Sequence, residues 1–436
     1  MQENSKQSGK GIFFSPEKIS LVNKIKSVSI LQEEIKKAVS ETTSELIETI
    51  IGGTIQIGAS DLHIEPMKET SKIRIRTDGI LQDVIDLNTE DYKEILSRIK
   101  LLAGIKLNIS DRPQDGRFSV FMGEEKDVLP IELRISTLPA EYGEAVVIRI
   151  LNPKSLISLG DLGLREDLLK MFKKEIKKPN GMIIITGPTG SGKTTTLYAF
   201  LKEIQSSEIK MITIEDPIEY HLKGISQTQV NPEKGYDFAS GLQSIMRQDP
   251  DVILVGEIRN PKTSKIAIQA ALTGHLVFST LHTNDAAGTI SRMTSLEGDI
   301  KNIGPAINMA IAQRLVRKVC KKCLSLKTIS KEELTKIKKE LPEIFIKKYK
   351  LSEVSKIAIP KGCSECNSTG FKGRVGVFET ILIDGEMERF ILKNPSIADL
   401  KEKAIERGMT TMKQDGFVKV LENVTTIEEV ERVTGE

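Results

Sequence analysis

The chain has 436 residues, of which 39% are hydrophobic and 28% charged, and its formal net charge is +3. That length accommodates roughly two to four domains, the balance is that of a soluble globular protein, and near-neutrality argues against the basic field of a nucleic-acid binder. The polar start, Met1-Gln2-Glu3-Asn4-Ser5, has no apolar signal core, and the four cysteines form two C-x-x-C pairs, so we expect a cytoplasmic chain whose thiols bind metal rather than form disulfides.

Residues 1 to about 40 are rich in Lys, Ser, Gln and Glu, with one apolar patch at Ile12-Phe13-Phe14. They read as a loosely ordered arm or a single amphipathic helix. A helix is expected over residues 43–52. Residues 61–66 and 72–77 then alternate apolar and polar with period two, Asp78-Gly79 supplies a turn, and residues 80–84 return as the second strand of a hairpin. A helix over residues 91–103 and strands over 116–122, 127–136 and 145–151 complete an α+β domain, residues 41–152, ending near Asn152-Pro153. Arg134 and Arg149 each sit at the end of a strand-like run, where an arginine ordinarily serves as a surface salt-bridge partner.

From about residue 158 to 317, strands and helices alternate, the pattern of a parallel sheet with helices on both faces. The run Met182-Ile183-Ile184-Ile185-Thr186 reads as a buried strand, and Thr195 to Leu201 carries apolar residues at helical spacing. Between them, Gly187-Pro188-Thr189-Gly190-Ser191-Gly192-Lys193-Thr194 matches the phosphate-loop pattern G-x-x-x-x-G-K-[ST]. The glycines let successive N–H groups turn inward on a phosphate, and the following helix offers its positive end to the same anion. Lys193 would reach the β- and γ-phosphates and the Thr194 hydroxyl would hold Mg²⁺.

A second buried run, residues 210–214, ends in the carboxylates Glu215, Asp216 and Glu219, where doubly wound folds bind ligands. A third, Val252-Ile253-Leu254-Val255, precedes Gly256-Glu257, the Walker B arrangement of an acid that positions Mg²⁺ or polarises attacking water. Residues 266–284 contain no Asp, Glu, Lys or Arg, but interruptions such as Gln269, Gly274 and His282 predict a buried helix, a turn and a buried strand rather than a membrane span. His275 and His282 bracket that strand.

Further on, Cys320-Lys321-Lys322-Cys323 is answered by Cys363-Ser364-Glu365-Cys366. Four thiolates would close a tetrahedral zinc site with no position left for water, which fits a structural role over residues 319–367. The remainder, 368–436, reads mainly as helices, with Thr426 and Glu429 spaced as a capping box.

Together these motifs resemble the ATPases of type II secretion and type IV pilus assembly, from about residue 45 to the end. The stretch Ala59 to Pro66 is similar to the signature of that family's second N-terminal domain, and Glu215 to Tyr220 to its Asp box. Arg247 to Asp251 through Glu257-Ile258-Arg259 is similar to its Walker B region, and Thr273-Gly274-His275 through His282-Thr283-Asn284 to its His box. The paired cysteines resemble its metal subdomain. The resemblance implies an α/β, RecA-like core and a hexameric, Mg²⁺-dependent ATPase. ATP would lie between that core and the preceding α+β domain, and the motor would drive an inner-membrane platform protein. It also implies that Arg134 and Arg149 reach the γ-phosphate and that Arg247 contacts phosphate. Residues 220–232 look more like the secretion branch. Three departures stand out. About 40 residues precede the second domain, where many members carry another domain that docks on a membrane-anchored partner; Gln243 stands where an arginine is expected; and Arg259-Asn260-Pro261-Lys262-Thr263 replaces the usual Arg-Asp-x-Glu-Thr. A pilus ATPase and a RecA-like nucleic-acid translocase are the alternatives, the latter disfavoured by charge and by an aromatic content of 4%.

Overall fold

The computed structural model describes residues 11–123, 130–153 and 156–435, so residues 1–10 and the first three residues of the strand expected from 127 lie outside it. The chain divides into two compact units. One holds residues 1–155 with 320–324 and 360–373, and the other holds the rest.

The first unit begins with strand β1 (Gly11–Phe13), helix α1 (Pro16–Val22) and helix α2 (Val28–Ala38). The expected loose arm or single helix is therefore one strand and two helices. Their apolar residues explain the difference: Ile12, Phe14, Val22, Ile25, Leu31 and Ile35 all enter the unit's core. The seat is α3 (Thr43–Ile57), entered through a capping box of Thr42 and Glu45. A Cβ on Gly52 would lie 2.5 Å from the Phe14 ring, and one on Gly53 would lie 2.4 Å from Leu31, so this glycine pair makes the groove that receives the arm.

Strands β2 (Asp61–Pro66), β3 (Thr70–Thr77) and β4 (Ile80–Asn88) follow, then α4 (Thr89–Ala103), β5 (Gln114–Phe121), β6 (Ile131–Ala140) and β7 (Gly143–Leu151). They form one seven-stranded sheet in the order β1-β5-β6-β7-β2-β3-β4. Residues such as Leu62, Ile73, Phe118, Leu133 and Ile148 are buried on one face. Period-two alternation sends their neighbours Asp61, Arg74, Arg117, Arg134 and Arg149 to the other. Under the helices, the Lys100 ammonium meets the Glu144 carboxylate at 2.8 Å with both side chains buried, and also donates to the Ile109 carbonyl, which pins the loop before β5.

The second unit carries α5 (Glu166–Glu175), β8 (Gly181–Thr186), α6 (Lys193–Ile204), β9 (Met211–Glu215), β10 (Ser226–Gln229), α7 (Phe238–Ile245) and β11 (Val252–Val255). It continues with α8 (Pro261–Leu272), β12 (Leu276–Leu281), α9 (Ala286–Glu297), α10 (Ile303–Ala306) and β13 (Ile307–Val319). The sheet order is β10-β9-β11-β12-β8-β13-β16, where β16 is Phe371–Leu382. The strands from β10 to β13 pair in parallel. The charge-free stretch is indeed helix, turn and strand: α8 ends at Leu272, Gly274 takes φ +105°, and β12 is wholly buried. No helix among the described residues is long and apolar enough to cross a membrane.

Beyond β13, the two-stranded sheet β14 (Leu324–Thr328) and β15 (Lys356–Pro360) flanks α11 (Lys331–Glu340) and α12 (Glu343–Lys348). Helices α13 (Gly385–Ile391), α14 (Ile397–Glu406), α15 (Met412–Leu421) and α16 (Ile427–Thr434) close the chain. The region after residue 368 is mainly helical, with β16 extending the main sheet before α13. Between the cysteine pairs, residues 325–359 group with the second unit while the cysteine loops group with the first. The box at Thr426 forms only in half: its hydroxyl accepts from Glu429 N, but the Glu429 carboxylate goes to Arg317 and Arg432.

Candidate active site and metal knuckle

Register places the predicted site residues at one edge. Val252 pairs with Met211 and Leu276, and Leu276 with Gly181, so β9, β11, β12 and β8 start level and end together. The turn after β9, Glu257 after β11, His282 after β12 and the glycine loop after β8 therefore all emerge at the carboxyl edge, where parallel sheets bind ligands.

The shape of the loop is set by its glycines. Gly187, Gly190 and Gly192 take φ of +151°, +78° and +88°. A Cβ on Gly187 would lie 2.5 Å from the Gln313 carbonyl, whereas one on Gly190 would meet nothing within 4 Å, so packing excludes side chains at the first and backbone conformation alone at the second. Helices α1, α2, α3, α4, α7, α8 and α9 are capped by Ser, Thr, Asn or Asp side chains that accept an N–H. Helix α6 is capped by Gly192, which leaves its first-turn donors at Lys193, Thr194 and Thr195 to an outside acceptor. The Ser191 hydroxyl is buried without a partner among the described residues. Pro188 and Thr189 lie exposed at the loop tip.

Lys193 donates to the loop's own carbonyls, Gly187 O at 2.7 Å and Pro188 O at 3.1 Å. Burial lowers its pKa, while the charges of Glu257 and Glu219 pull it back up. Glu257 pairs with Arg259 at 2.7 Å and faces His282 Nε2 at 3.4 Å. The Asn-Pro departure has a local use: Asn260 caps α8 by accepting from Thr263 N, and Pro261 opens the helix. Thr186 Oγ1 bonds Thr283, tying the loop strand to the segment after His282. His275 is engaged structurally, its Nδ1 against the Ala270 carbonyl.

The three acids after β9 divide. Glu215 is buried and its carboxylate is spent on Tyr198, Thr213 and Gln227. Burial and the adjacent carboxylate raise the Tyr198 pKa. Asp216 is exposed and Glu219 is half-buried. Arg247 bonds locally, to Gln243 O and Ser244 Oγ, on an exposed turn. Sequence reasoning missed Arg314. Its guanidinium donates to the Gln313 and Asn284 carbonyls and lies beside Gly187, so it holds the segment after His282 and sits against the glycine loop. Its place on β13, next to β8, was the signal that a strand reading could have used.

In the first unit, Arg117, Arg134 and Arg149 face one another in register across β5, β6 and β7, and Asp61 and Arg76 continue the row. Asp61 pairs with Arg149 at 3.2 Å and Glu132 with Arg134 at 3.1 Å. Like charges directly opposite are destabilising, and the Asp61 and Glu132 carboxylates offset part of that repulsion.

The cysteines, free of disulfides, come together as the spacing predicts, with all four sulfurs within 4.8 Å of one another. Separations of 3.9 Å (Cys320–Cys363), 3.8 Å (Cys323–Cys366) and 3.7 Å (Cys363–Cys366) fit a tetrahedron. With metal–sulfur bonds of about 2.3 Å its edge is about 3.8 Å. Burial raises the Cys366 thiol, but the N–H groups of Cys363 and Gly370 outweigh it and bring the pKa down to about 7. Burial, aided by Cys366, pushes Cys323 up to about 11. The residues fit a thiolate-bound ion.

An acid-flanked glycine loop on the carboxyl edge of a parallel sheet defines the class, a mixed α/β ATPase. The family model for type II/IV secretion system proteins matches residues 36–432, and the chain belongs to that family. It is 41% identical to the type II secretion system ATPase E of Vibrio cholerae over 90% of this chain and 75% of that one. It is 40% identical to the type IV pilus assembly ATPase PilB of Pseudomonas aeruginosa, over 87% of this chain and 65% of that one. The chain thus spans 65% to 75% of the length of these relatives. Among solved structures, the pilus retraction motor PilT with bound ADP matches at a TM-score of 0.59 and 26% identity, covering 89% of this chain and 96% of that one. The Legionella pneumophila ATPase DotB shares the fold at a TM-score of 0.63 and 20% identity, over 88% and 94% of the two chains.

Proposed function

We propose that this chain is the ATP-hydrolysing motor of a type II secretion system, working as a homo-hexamer on an inner-membrane platform protein, with a RecA-like core as its engine. Localisation would be cytoplasmic, at the membrane through partners, among them a membrane-anchored recruiting protein, and nucleic acid has no role. The observation that carries the reading is the alignment of the phosphate loop, Glu257 and His282 on one sheet edge. Type IV pilus assembly is the second reading, favoured by the PilB relative.

In this reading the first-turn amides of α6 and Lys193 hold the β- and γ-phosphates, and Lys193 exchanges the carbonyls of Gly187 and Pro188 for phosphate oxygens. Glu257 orients the attacking water, and His282, opposite its free edge, fixes the carboxylate. Glu215 positions: through Tyr198 it locks the turn carrying Asp216 and Glu219 to α6. Thr194 with those carboxylates would hold Mg²⁺, which supplies charge neutralisation at the phosphates. Arg134 and Arg149 would neutralise charge on the transferred phosphoryl group, with Arg247 as a further phosphate contact. The cysteines would hold structural Zn²⁺.

Lys193→Ala tests the core of this proposal. A desolvated charge-assisted contact is worth about 1.5–3 kcal/mol. Turnover should fall to background in a protein with unchanged melting and circular dichroism. A tenth of wild-type turnover in the folded variant refutes the site.

A further inference from the structure

Two hydrogen bonds tie the cysteine knuckle to distant parts of its own unit. The backbone N–H of Val28, the first residue of α2, donates to Asn367 Oδ1 at 2.9 Å across 339 residues of chain. The N–H of Gly373 donates to Asp78 Oδ2 at 2.9 Å, in the turn between β3 and β4. The first bond solves a local problem. A helix leaves its first N–H groups without intrahelical partners. The α2 cap Ser27 accepts from Ile30 N, which leaves Val28 N–H to be satisfied from elsewhere. Asn367 acts as a second, external cap.

Asn367 directly follows a ligand. It takes φ +50° after the single turn Ser364–Cys366. Around it, Ser368 N donates to Cys363 O at 2.9 Å and Thr369 N to Cys366 O at 3.0 Å. The N–H groups of Cys363 and Gly370 converge on Cys366 Sγ at 3.1 and 3.2 Å. The bonds that aim the asparagine thus end on the Cys366 sulfur and on the carbonyls of Cys363 and Cys366. N–H···S bonds are strongest to a thiolate, the form a metal ion enforces.

We propose that metal binding at Cys320, Cys323, Cys363 and Cys366 presents Asn367 as the cap of α2, so that ion occupancy sets the order of the helix that closes the N-terminal arm. The ion would then do more than close a loop: it would govern residues some 300 positions away in sequence, through one side-chain oxygen. This inference rests on the metal reading of the knuckle.

The test uses the full chain loaded with Zn²⁺, with peptide-level hydrogen–deuterium exchange as the readout. Stripping Zn²⁺ with a chelator should speed exchange over residues 27–32 on the order of fivefold, the effect of losing one helix cap. Asn367→Ala should give the same acceleration while retaining its zinc, and stripping that variant should add nothing further over residues 27–32. Unchanged exchange there on stripping, or an Asn367→Ala effect of equal size on top of stripping, overturns the proposal. A chain that binds neither Zn²⁺ nor Co²⁺, with no thiolate-to-cobalt absorption, overturns the metal reading itself and the inference with it.

Discussion

Glu429 anchors the C-terminal helix α16 to the ATPase sheet through charge, and Glu429→Gln measures how much that charge contributes. Its side chain is 1% exposed and faces Arg317 at 2.9 Å and Arg432 at 2.6 Å, and it also accepts from the Arg317 backbone N–H. Burial alone would raise its pKa. The hydrogen bonds of Arg432 and Arg317 outweigh burial and hold it at about 2, against an ordinary 4.5. A drop of this size corresponds to about 3 kcal/mol at 1.36 kcal/mol per pKa unit. The folded-state pKa is depressed, so the stabilisation is complete above pH 4.5 and disappears as the pH falls toward 2. Arg432 is 50% exposed and can turn to water when the carboxylate is lost, so about 3 kcal/mol is an upper figure. Glu429→Gln should therefore lower the melting temperature of the ATPase unit at pH 7 by at most roughly 6–12 °C, at roughly 2–4 °C per kcal/mol for a unit of this size. Differential scanning calorimetry of both proteins from pH 7 to pH 3 supplies the comparison. The gap should narrow below pH 4.5. Equal melting at neutral pH, or a gap as wide at pH 3 as at pH 7, would show that the ion pair carries no net stability.

Three further outcomes follow from the site. Glu257→Gln should bind Mg²⁺ and ATP yet turn over very slowly; loss of ATP binding in filter or fluorescence assays would make Glu257 a holding residue instead of a water-orienting one. Alanine at Arg134 or Arg149 should cut turnover steeply, toward the 10³–10⁵ that arginine fingers contribute elsewhere, with ATP affinity less affected and turnover per subunit rising with protein concentration. Steady-state kinetics that match wild type would assign both to surface pairing. Purified protein should hold about one zinc per chain by atomic emission, released in Cys363→Ser with ATP binding retained; four freely titratable thiols at unchanged stability would leave the knuckle without its ion.

The parts legible in the sequence are those whose signal is local. The glycine loop, the acid after Val255 and the histidine after β12 are written in short windows, and the sheet carries them to one edge because buried parallel strands read as apolar runs. Signals that depend on distant partners were not legible. Ile12, Phe14, Val22 and Leu31 spread over three short elements, and only the glycines of α3 explain where they go. The arginine row needs the register of β5, β6 and β7, which no window shows. Glu215 and Asp216 are adjacent letters with opposite fates, because β9 ends at Glu215, which is buried against Tyr198, and Asp216 already lies in the exposed turn. At Thr426 the pattern was right, but Arg317 and Arg432 compete for the glutamate and win.

Strand β1 imposes an order of events on synthesis. Its residues pair with β5, Gly11 against Ser119, so 119 − 11 = 108 further residues must be made before that edge can close. At roughly 5–20 residues per second the nascent strand waits on the order of 5–20 s. Helix α2, by contrast, can pack on α3 as soon as residue 57 appears. The early helical pair covers Leu31 and Ile35 while the strand waits, with Phe13 and Phe121 stacking at 4.4 Å only once both are present. Two late closures of this unit, Asn367 on Val28 and Gly373 on Asp78, fall when most of the chain already exists, so helix α2 is made early and finished late.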